Sequence, residues 1–357
     1  MTEKYLRLLT ESKNILLYGA GSLGKIMLPY VKEQFNISGF AVTNEKNITE
    51  KEILGFTVDS IKNWVQKLGV ENVTVLITIS EHHHKEIIDV LTALGVENII
   101  PLTKELRDRL VEIYSIQVFE SHGVKLDGEI MTLENMNVVN PLKYDYKFAR
   151  NLFIQIADFI FPSLYNDFSM ITEGPYEYKN VKVNAGETVF DCGANMGAFS
   201  AYAASKNCIV YAFEPTPELH PILTKHSELN KNKINIVPFA VSNVTGECDL
   251  RICDYTVGGN SLVMENGFTD TLKIKTVTID EFVKENNLKV DFIKADIEGA
   301  ERLMLEGAKN TLKEQAPKLS VCTYHYKDDP EVLKDIILSA NPNYKIEFKY
   351  QKLYAHI

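Results

Sequence analysis

A glycine-rich turn near the middle of the chain has the residue types needed to hold a polar ligand. It runs Asp191-Cys192-Gly193-Ala194-Asn195-Met196-Gly197 and directly follows the apolar run Thr188-Val189-Phe190. Gly and Asn tolerate left-handed backbone conformations, so such a turn lets the chain and the start of the next helix approach a ligand closely. The acid at its head would repel a pyrophosphate but suits an ammonium group, and no phosphate-binding lysine follows the turn.

A second carboxylate extends this pattern. The next predicted strand, Ile209 to Phe213, ends in Glu214, where a carboxylate can accept hydrogen bonds from both hydroxyls of a ribose. A ligand with ribose at one end and an ammonium group at the other is S-adenosylmethionine. We therefore predict S-adenosylmethionine as the cofactor of this half of the chain.

The predicted strand Val290 to Asp296 carries charge where an apolar run is expected. Because side chains alternate along a strand, Phe292, Lys294 and Asp296 share one face. A lysine in a central parallel strand is costly unless it is paired, and Asp296 is its nearest partner in sequence. Two interpretations stay open: a structural ion pair, or a set comprising Lys294, Asp296 and Glu298 that orients an acceptor hydroxyl or tunes its base.

The group that would remove a proton from an alcohol acceptor has two candidates. An alcohol is a poor nucleophile until it loses its proton, and a histidine or carboxylate within hydrogen-bond reach can take it. His325 follows the predicted strand Leu319 to Thr323, and the ordinary histidine pKa of about 6.5 suits this role. Asp296 is the alternative.

From about Glu173 onward the sequence resembles the FkbM family of S-adenosylmethionine-dependent methyltransferases. The matching segments are Glu173-Gly174-Pro175-Tyr176-Glu177, Val189 to Gly197, Ala212-Phe213-Glu214-Pro215, Val277 to Phe282, Phe292 to Glu301, and Tyr324-His325, where that family usually carries a histidine. The resemblance covers roughly half the chain. It implies a class I methyltransferase sheet and methyl transfer, usually to a hydroxyl of a sugar or natural product.

The resemblance also assigns roles to individual residues. It implies that Asp191 and the turn through Gly193, Ala194, Asn195 and Gly197 line the methionine end of the cofactor, and that Glu214 holds the ribose. It further implies that Val241 and Ser242 border the adenine, with Glu173 and Tyr176 as additional cofactor contacts.

A first glycine turn, Gly19-Ala20-Gly21-Ser22-Leu23-Gly24, follows the apolar run Asn14 to Tyr18. This is the spacing of the dinucleotide-binding fingerprint, which also requires an acid about 20 residues later. Here the second predicted strand ends in Thr43-Asn44, and Glu45 comes one step late. We favour a nucleotide fold that binds no redox cofactor, loosely resembling a module attached to some surface-glycan enzymes, over an NAD(P)-dependent oxidoreductase.

Three consecutive histidines, His82 to His84, do not form a convincing metal site. Consecutive side chains alternate faces on a strand and fan apart on a helix, so these three rings do not converge, and no other ligands stand at fixed spacing. We predict no metal, and expect these residues to line the crevice of the first domain.

The order of predicted elements sets the fold class. Strands and helices alternate over residues 13–102 and again from 181, which predicts an α/β protein with two Rossmann-like domains. We assign residues 1–102 to the first and 181–357 to a class I methyltransferase domain with seven mostly parallel strands. Residues 103–180 are predicted to be a helical connector or a cap. Its apolar helical face comprises Phe148, Leu152, Phe153, Ile156, Phe159 and Ile160.

Composition excludes several classes of function. The 357 residues contain 38 Lys and Arg against 48 Asp and Glu, a formal charge of −10, which argues against nucleic-acid binding. The sequence shows no signal-peptide pattern and no apolar run long enough to cross a membrane. Five cysteines without a CxxC motif are typical of reduced thiols, so we expect a cytoplasmic protein.

Taken together, these patterns predict an S-adenosylmethionine-dependent O-methyltransferase acting on a saccharide in surface-glycan or natural-product biosynthesis. Whether the acceptor is nucleotide- or lipid-linked stays open, as does a homo-oligomeric state. The alternatives are an oxidoreductase that uses the first domain and a non-catalytic protein that binds nucleotide sugars.

Overall fold

The computed structural model describes residues 2–144, 146–160, 173–253, 259–264, 268 and 270–357. These fall into two compact units, residues 2–121 and the described residues from 122 onward. None of the helices in this described part has the length and apolar character required to cross a bilayer.

The first unit is built on a six-stranded sheet. Its strands are β1 (Asn14–Tyr18), β2 (Ile37–Val42), β3 (Glu52–Ile53), β4 (Phe56–Ser60), β5 (Val73–Ile77) and β6 (Asn98–Pro101), in the order β3-β4-β2-β1-β5-β6. Its helices are α1 (Thr2–Glu11), α2 (Ser22–Lys32), α3 (Ile61–Leu68), α4 (His84–Ala93) and α5 (Lys104–Ser121). All pairings except β3 with β4 are parallel. An α/β unit therefore stands where the sequence predicts a Rossmann-like domain.

The stretch predicted as a helical connector, residues 103–180, contains strands as well as helices. Its first helix, α5, belongs to the first unit, where Tyr114 packs edge-on against Tyr30 of α2 with ring centroids 5.4 Å apart. The strands β7 (Lys125–Asp127), β8 (Ile130–Leu133) and β9 (Met136–Val139) form an antiparallel sheet in the second unit. The three-part division at residues 102 and 180 stays a prediction.

The main sheet of the second unit has seven strands. They are β10 (Thr188–Cys192), β11 (Ile209–Phe213), β12 (Ile234–Val237), β16 (Phe292–Ala295), β17 (Lys318–Cys322), β18 (Lys345–Lys349) and β19 (Lys352–His356). Their order is β12-β11-β10-β16-β17-β19-β18, with β19 antiparallel to both of its neighbours. This confirms the predicted α/β class and the mostly parallel seven-stranded sheet.

The second unit contains a smaller sheet and several helices in addition to the main sheet. A small three-stranded sheet comprises β13 (Phe239–Val241), β14 (Gly246–Ile252) and β15 (Asp270–Val277). The helices are α6 (Tyr146–Phe159), α7 (Ala198–Ser205), α8 (His220–Leu229), α9 (Ile279–Glu285), α10 (Glu301–Glu306), α11 (Lys309–Glu314) and α12 (Asp329–Ala340).

The strand order places a crevice beside β10. The chain builds outward from β10 through β11 and β12, and then returns to the other side of β10 with β16 and β17. In open α/β sheets such a reversal leaves a crevice beyond the carboxyl ends of the strands, where ligands bind. Residues that follow β10, β11, β16 and β17 are therefore brought to one edge of the sheet.

Candidate active site

A cavity of about 410 Å³ lies at this edge of the sheet. Among the residues predicted as site residues, those that line it are Glu173, Tyr176, Gly193, Ala194, Asn195, Glu214, Val241, Lys294, Asp296 and Glu298. Its volume is in the range of small-molecule sites. Asp191, Gly197, Ser242 and His325 are not among the described residues of its wall.

The glycine turn after β10 is shaped by close contact with neighbouring backbone. Gly193 has φ of 75°, and a Cβ at this position would lie 2.0 Å from the carbonyl oxygen of Asp296. The amides of Gly193 and Ala194 both donate to the Phe213 carbonyl at 3.0 Å. The turn is therefore tied to the strands on both sides of it.

Asn195 presents an unused acceptor in this turn. It has φ of 52° and lines the cavity. Its side-chain Oδ1 is buried and has no hydrogen-bond partner among the described residues. Because a buried polar atom without a partner costs free energy, a ligand that donates a hydrogen bond here would relieve that cost.

Glu214 is a buried carboxylate held by backbone donors. Its Oε2 accepts a hydrogen bond from the Asn195 amide at 2.8 Å, and its Oε1 accepts one from the Thr216 amide at 2.9 Å. Burial raises the pKa of Glu214, and these amide donors oppose the rise. Each oxygen keeps a second acceptor site, so both remain able to bind hydroxyls of a ligand.

The partner of Lys294 is Asp191, which corrects the expected pairing with Asp296. The Lys294 Nζ lies 3.0 Å from Asp191 Oδ1, and both side chains are buried. The two residues are directly paired in register on β16 and β10, so their side chains leave the sheet on the same face. Lys294 also donates to the Gly193 carbonyl at 2.6 Å, which places this ion pair beneath the glycine turn.

This pairing also changes the expected role of Asp191. Its Oδ2 accepts a hydrogen bond from Ser200 Oγ at 2.6 Å, and the residue is fully buried. Asp191 is thus neutralised by Lys294 and does not reach the cavity wall, where the sequence placed it beside an ammonium group. Its neighbour Cys192 is also fully buried, and burial raises the pKa of that thiol, in keeping with a packing role.

Asp296 is held as an anion on the cavity wall. It accepts hydrogen bonds from the hydroxyls of Tyr176 at 2.6 Å and Tyr324 at 3.2 Å. Burial alone would raise the pKa of Asp296, but the charges of Lys294 and Lys352 and the bond from Tyr176 lower it. A carboxylate with a depressed pKa is a weak base, so Asp296 is better suited to orienting a ligand than to removing a proton.

His325 lies between two carboxylates and keeps its proton. Its Nε2 is 3.4 Å from Glu298 Oε2 and its Nδ1 is 3.3 Å from Glu301 Oε1, while its side chain is 3% exposed. Burial opposes the charged form, but the two carboxylates outweigh it and raise the pKa of His325 to about 11. An imidazolium at neutral pH is not a general base, so the structure disfavours the first of the two predicted bases.

Glu298 differs from Asp296 in its environment. It lines the cavity, has φ of 52°, and its pKa is raised because burial outweighs the nearby His325. A carboxylate whose pKa is raised is the stronger proton acceptor of the two.

Two sets of described residues bring ligand-type atoms within 4.8 Å of one another: Asp296 with Glu301 and His325, and Asp296 with Glu173 and Cys322. In the first set the imidazolium already supplies positive charge. In the second, burial raises the pKa of the Cys322 thiol. The absence of a metal stays a prediction.

Helix α6 contributes residues that the sequence did not single out. Asn151, Ile154 and Gln155 line the cavity, while the predicted apolar residues Leu152, Phe153 and Ile156 are buried. This arrangement agrees with a cap, one of the two interpretations that the amphipathic pattern left open. Asn260 and Leu262, which lie between β14 and β15, also line the cavity without a sequence signal.

The C-terminal hairpin anchors the segment that carries Glu173 and Tyr176. Lys352 Nζ donates to the Glu173 carbonyl at 3.0 Å, and the Gln351 amide donates to the same oxygen at 3.2 Å. The Tyr354 hydroxyl donates to the Pro175 carbonyl. These bonds fix one wall of the cavity from the last strand of the sheet.

The glycine turn of the first unit lacks a carboxylate at the end of β2. Thr43 follows that strand, and its hydroxyl is 2.9 Å from the Tyr18 hydroxyl. Glu45 is bonded to Asn63 Nδ2 at 3.2 Å. Of the three histidines, His84 is buried against the Ile79 carbonyl at 3.1 Å, and the other two are exposed.

Comparison with known proteins finds a family model that matches part of the chain. Residues 191–346 match the model of the methyltransferase FkbM domain. We call this matching segment, which is less than half of the chain, the FkbM domain. The predicted family resemblance is thereby confirmed for this part of the chain.

The FkbM domain has a curated relative and similar solved structures. Hexuronic acid methyltransferase AglP of Haloferax volcanii is 26% identical over 155 residues, 43% of this chain and 62% of that protein, so the match spans less than two thirds of the relative. A methyltransferase FkbM from Methylobacillus flagellatus is 16% identical with a TM-score of 0.42, covering 99% of this chain and 92% of that one. Fibrillarin of Aeropyrum pernix, solved with bound S-adenosyl-L-methionine, is 12% identical with a TM-score of 0.30, covering 49% and 68%.

Proposed function

We propose that the FkbM domain is an S-adenosylmethionine-dependent O-methyltransferase that acts on a sugar hydroxyl. The observation that carries the proposal is that two hydrogen-bond acceptors lie side by side on one cavity wall. They are the buried carboxylate of Glu214 and the Oδ1 of Asn195, which has no partner among the described residues. A hydroxyl-binding carboxylate beside an unused amide acceptor suits a ligand that is a nucleoside at one end and an ammonium at the other.

The residues present fit this cofactor. Glu214 binds the ribose hydroxyls, Asn195 Oδ1 accepts a hydrogen bond from the ammonium group, and Val241 borders the adenine. Asp191 pairs with Lys294, which in turn donates to the Gly193 carbonyl, so Asp191 supports the glycine turn without contacting the cofactor. When bound, the cofactor supplies an electrophilic methyl group on a sulfonium, and the protein contributes mainly by positioning the acceptor in line with it.

Asp296 and Glu298 act on the acceptor. Asp296, fixed by two tyrosine hydroxyls, accepts a hydrogen bond from a hydroxyl of the sugar and orients it. Glu298, whose pKa is raised, takes the proton from the hydroxyl that is methylated. His325 holds Glu298 and Glu301 by charge.

A saccharide acceptor is supported by the name of the relative from Haloferax volcanii, a hexuronic acid methyltransferase. The role in surface-glycan or natural-product biosynthesis, the cytoplasmic location and the homo-oligomeric state stay predictions. The oxidoreductase alternative is not favoured, because the end of β2 offers Thr43 where that function requires an acid.

Ligand binding tests the proposal directly. A ligand that binds only the native state raises its melting temperature, so S-adenosylhomocysteine at millimolar concentration should raise the melting temperature of the second unit. Glu214→Ala should abolish most of the shift, while Glu218→Ala, which removes a nearby exposed carboxylate, should keep it. An unchanged melting temperature in the wild-type protein would contradict the proposal.

A further inference from the structure

We propose that the acceptor end of the cavity selects an uncharged sugar or an amino sugar and rejects a hexuronate. This inference rests on the proposed function and adds the charge class of the substrate to it. It differs from what the relative's name would suggest for this chain.

The described wall of the cavity is strongly acidic. It carries the carboxylates of Glu173, Glu214, Asp296 and Glu298 against a single cation, Lys294. That lysine is already paired, because its Nζ lies 3.0 Å from Asp191 Oδ1 and 2.6 Å from the Gly193 carbonyl. Lys294 is therefore not available to pair with the carboxylate of a bound ligand.

Two other cations of the second unit are also engaged. Lys352 donates to the Glu173 carbonyl at 3.0 Å and lies over the face of the Tyr176 ring, 4.8 Å from its centroid. Arg251 donates to the carbonyls of Leu262 and Met264 at 3.2 and 3.0 Å. Neither side chain is part of the described wall.

The acidic residues are divided between the two ends of the cavity. Glu214 follows β11 and Asp296 follows β16, with β10 between them, so two strand spacings of about 4.8 Å separate their backbones. A nucleoside held at Glu214 leaves Asp296, Glu298 and the half-exposed ring of Tyr324 to the acceptor. S-adenosylmethionine adds one net positive charge, which is smaller than the negative charge of the wall.

The chemistry of the acceptor end therefore favours donors. Carboxylates accept hydrogen bonds from sugar hydroxyls and pair with an ammonium group. A ligand carboxylate placed beside Asp296 would meet a like charge at close range. The nearby cations Lys294 and His325 are already engaged, Lys294 with Asp191 and His325 with Glu298 and Glu301.

Matched pairs of sugars test this inference. We would compare methyl glucoside with methyl glucuronoside, and the corresponding galactose and mannose pairs, by saturation-transfer NMR titration in the presence of S-adenosylhomocysteine. In low salt the neutral sugar of at least one pair should bind at least about tenfold tighter than its uronate, and 0.5 M NaCl should narrow the gap because salt screens charge repulsion. Methyl glucosaminide should bind at least as well as the glucoside.

A charge-neutralising variant and a matched control test whether Glu298 contributes to the discrimination against uronates. Glu298→Gln should reduce the discrimination against the uronate, whereas Glu314→Gln, which removes an exposed carboxylate on α11, should leave it unchanged. The inference is wrong if, in every pair that binds, the uronate binds the wild-type protein as tightly as its neutral partner, or if no sugar of any pair binds while S-adenosylhomocysteine still does. Loss of S-adenosylhomocysteine binding itself would instead refute the proposed function.

Discussion

Three ionisable side chains at the carboxyl ends of β16 and β17 have pKa values that are shifted differently because their neighbours differ. Asp296 has lysines and tyrosine hydroxyls around it, His325 has two carboxylates, and Glu298 is desolvated with one imidazolium beside it. The lowest proton affinity of the three belongs to Asp296 and the highest to His325. This order is the basis on which we propose separate roles for the three residues: orientation of the acceptor for Asp296, proton transfer for Glu298 and charge support for His325.

Replacing the two carboxylates separately tests that assignment. Glu298→Gln should lower turnover by about 10²- to 10⁴-fold, the usual contribution of a general base, while the dissociation constant of S-adenosylhomocysteine stays unchanged. Asp296→Asn should mainly raise the KM for the acceptor. Steady-state methyl transfer followed by mass spectrometry measures both, and full turnover in Glu298→Gln would exclude the proposed base.

The pH dependence of stability tests the state of His325. Its pKa is about 11 in the folded protein and about 6.5 when unfolded, so the folded state binds the proton more tightly. The resulting stabilisation is complete below pH 6.5 and is lost as the pH rises towards 11, by at most about 1.4 kcal/mol per pH unit.

Between pH 8 and pH 10 the wild-type protein should therefore lose more thermal stability than His325→Gln. The exposed His82→Gln serves as the control and should follow the wild-type protein. Equal losses in the wild-type protein and His325→Gln would show that this histidine is already neutral at pH 8.

At this scale most of the site residues predicted from the sequence line the cavity, but the sequence did not predict their partners. Alternation along the predicted strand Val290 to Asp296 suggested Asp296 as the partner of Lys294, since both would lie on one face of that strand. The actual partner, Asp191, depends on the register between β16 and β10, which are about 100 residues apart in the chain. A single sequence does not specify that register.

At the scale of elements, the turn after β10 leaves no room for a side chain at Gly193. Gly193 combines a left-handed backbone with the contact of a would-be Cβ to the Asp296 carbonyl oxygen at 2.0 Å. Gly186 has a similar φ, 84°, but a Cβ there would meet no atom within 4 Å. A substitution at Gly186 therefore tests backbone strain alone, whereas one at Gly193 tests backbone strain together with steric conflict.

We expect Gly186→Ala to cost about 1 kcal/mol of unfolding free energy, the usual penalty for a left-handed alanine. Gly193→Ala should cost about 1–3 kcal/mol more, because the added methyl group must displace β16, and it should also weaken S-adenosylhomocysteine binding. The measurement is urea unfolding followed by circular dichroism. Tryptophan fluorescence is unsuitable because the single tryptophan, Trp64, lies in the first unit. Equal costs for both variants would contradict the close approach.

The elements themselves were predictable to different degrees. The strands β10, β11 and β16 are short, mostly apolar runs followed by glycine or acid, and β17 is a similar run followed by Thr323. Their positions could therefore be predicted from the sequence. The short strands β7 to β9 were missed because polar and apolar residues are mixed within three or four positions. The contribution of α6 to the cavity depends on tertiary packing, and the amphipathic pattern alone left connector and cap equally open.

At the scale of the whole molecule, both α/β units have a glycine turn after their first parallel strand. Among the described residues, a carboxylate directly follows the next strand in the second unit and not in the first. In the second unit Glu214 ends β11, whereas in the first Thr43 follows β2 and is bonded to Tyr18. We therefore expect the first unit not to bind a nicotinamide dinucleotide.

Mixing NADH or NADPH with the protein at micromolar concentration should leave the fluorescence of the nicotinamide unchanged. The expectation follows because the ribose of such a ligand would face a threonine in place of a carboxylate. Saturable enhancement, competed by unlabelled NAD⁺, would restore the oxidoreductase alternative and give the first unit a catalytic role.

The last strand of the sheet has a practical consequence for anyone engineering this protein. Because Gln351, Lys352 and Tyr354 hold the backbone of Glu173 and Pro175, trimming the final seven residues would release a cavity wall that lies almost 180 positions earlier in the chain. Proteolytic cleavage within β19 would release the same wall without touching the glycine turn after β10.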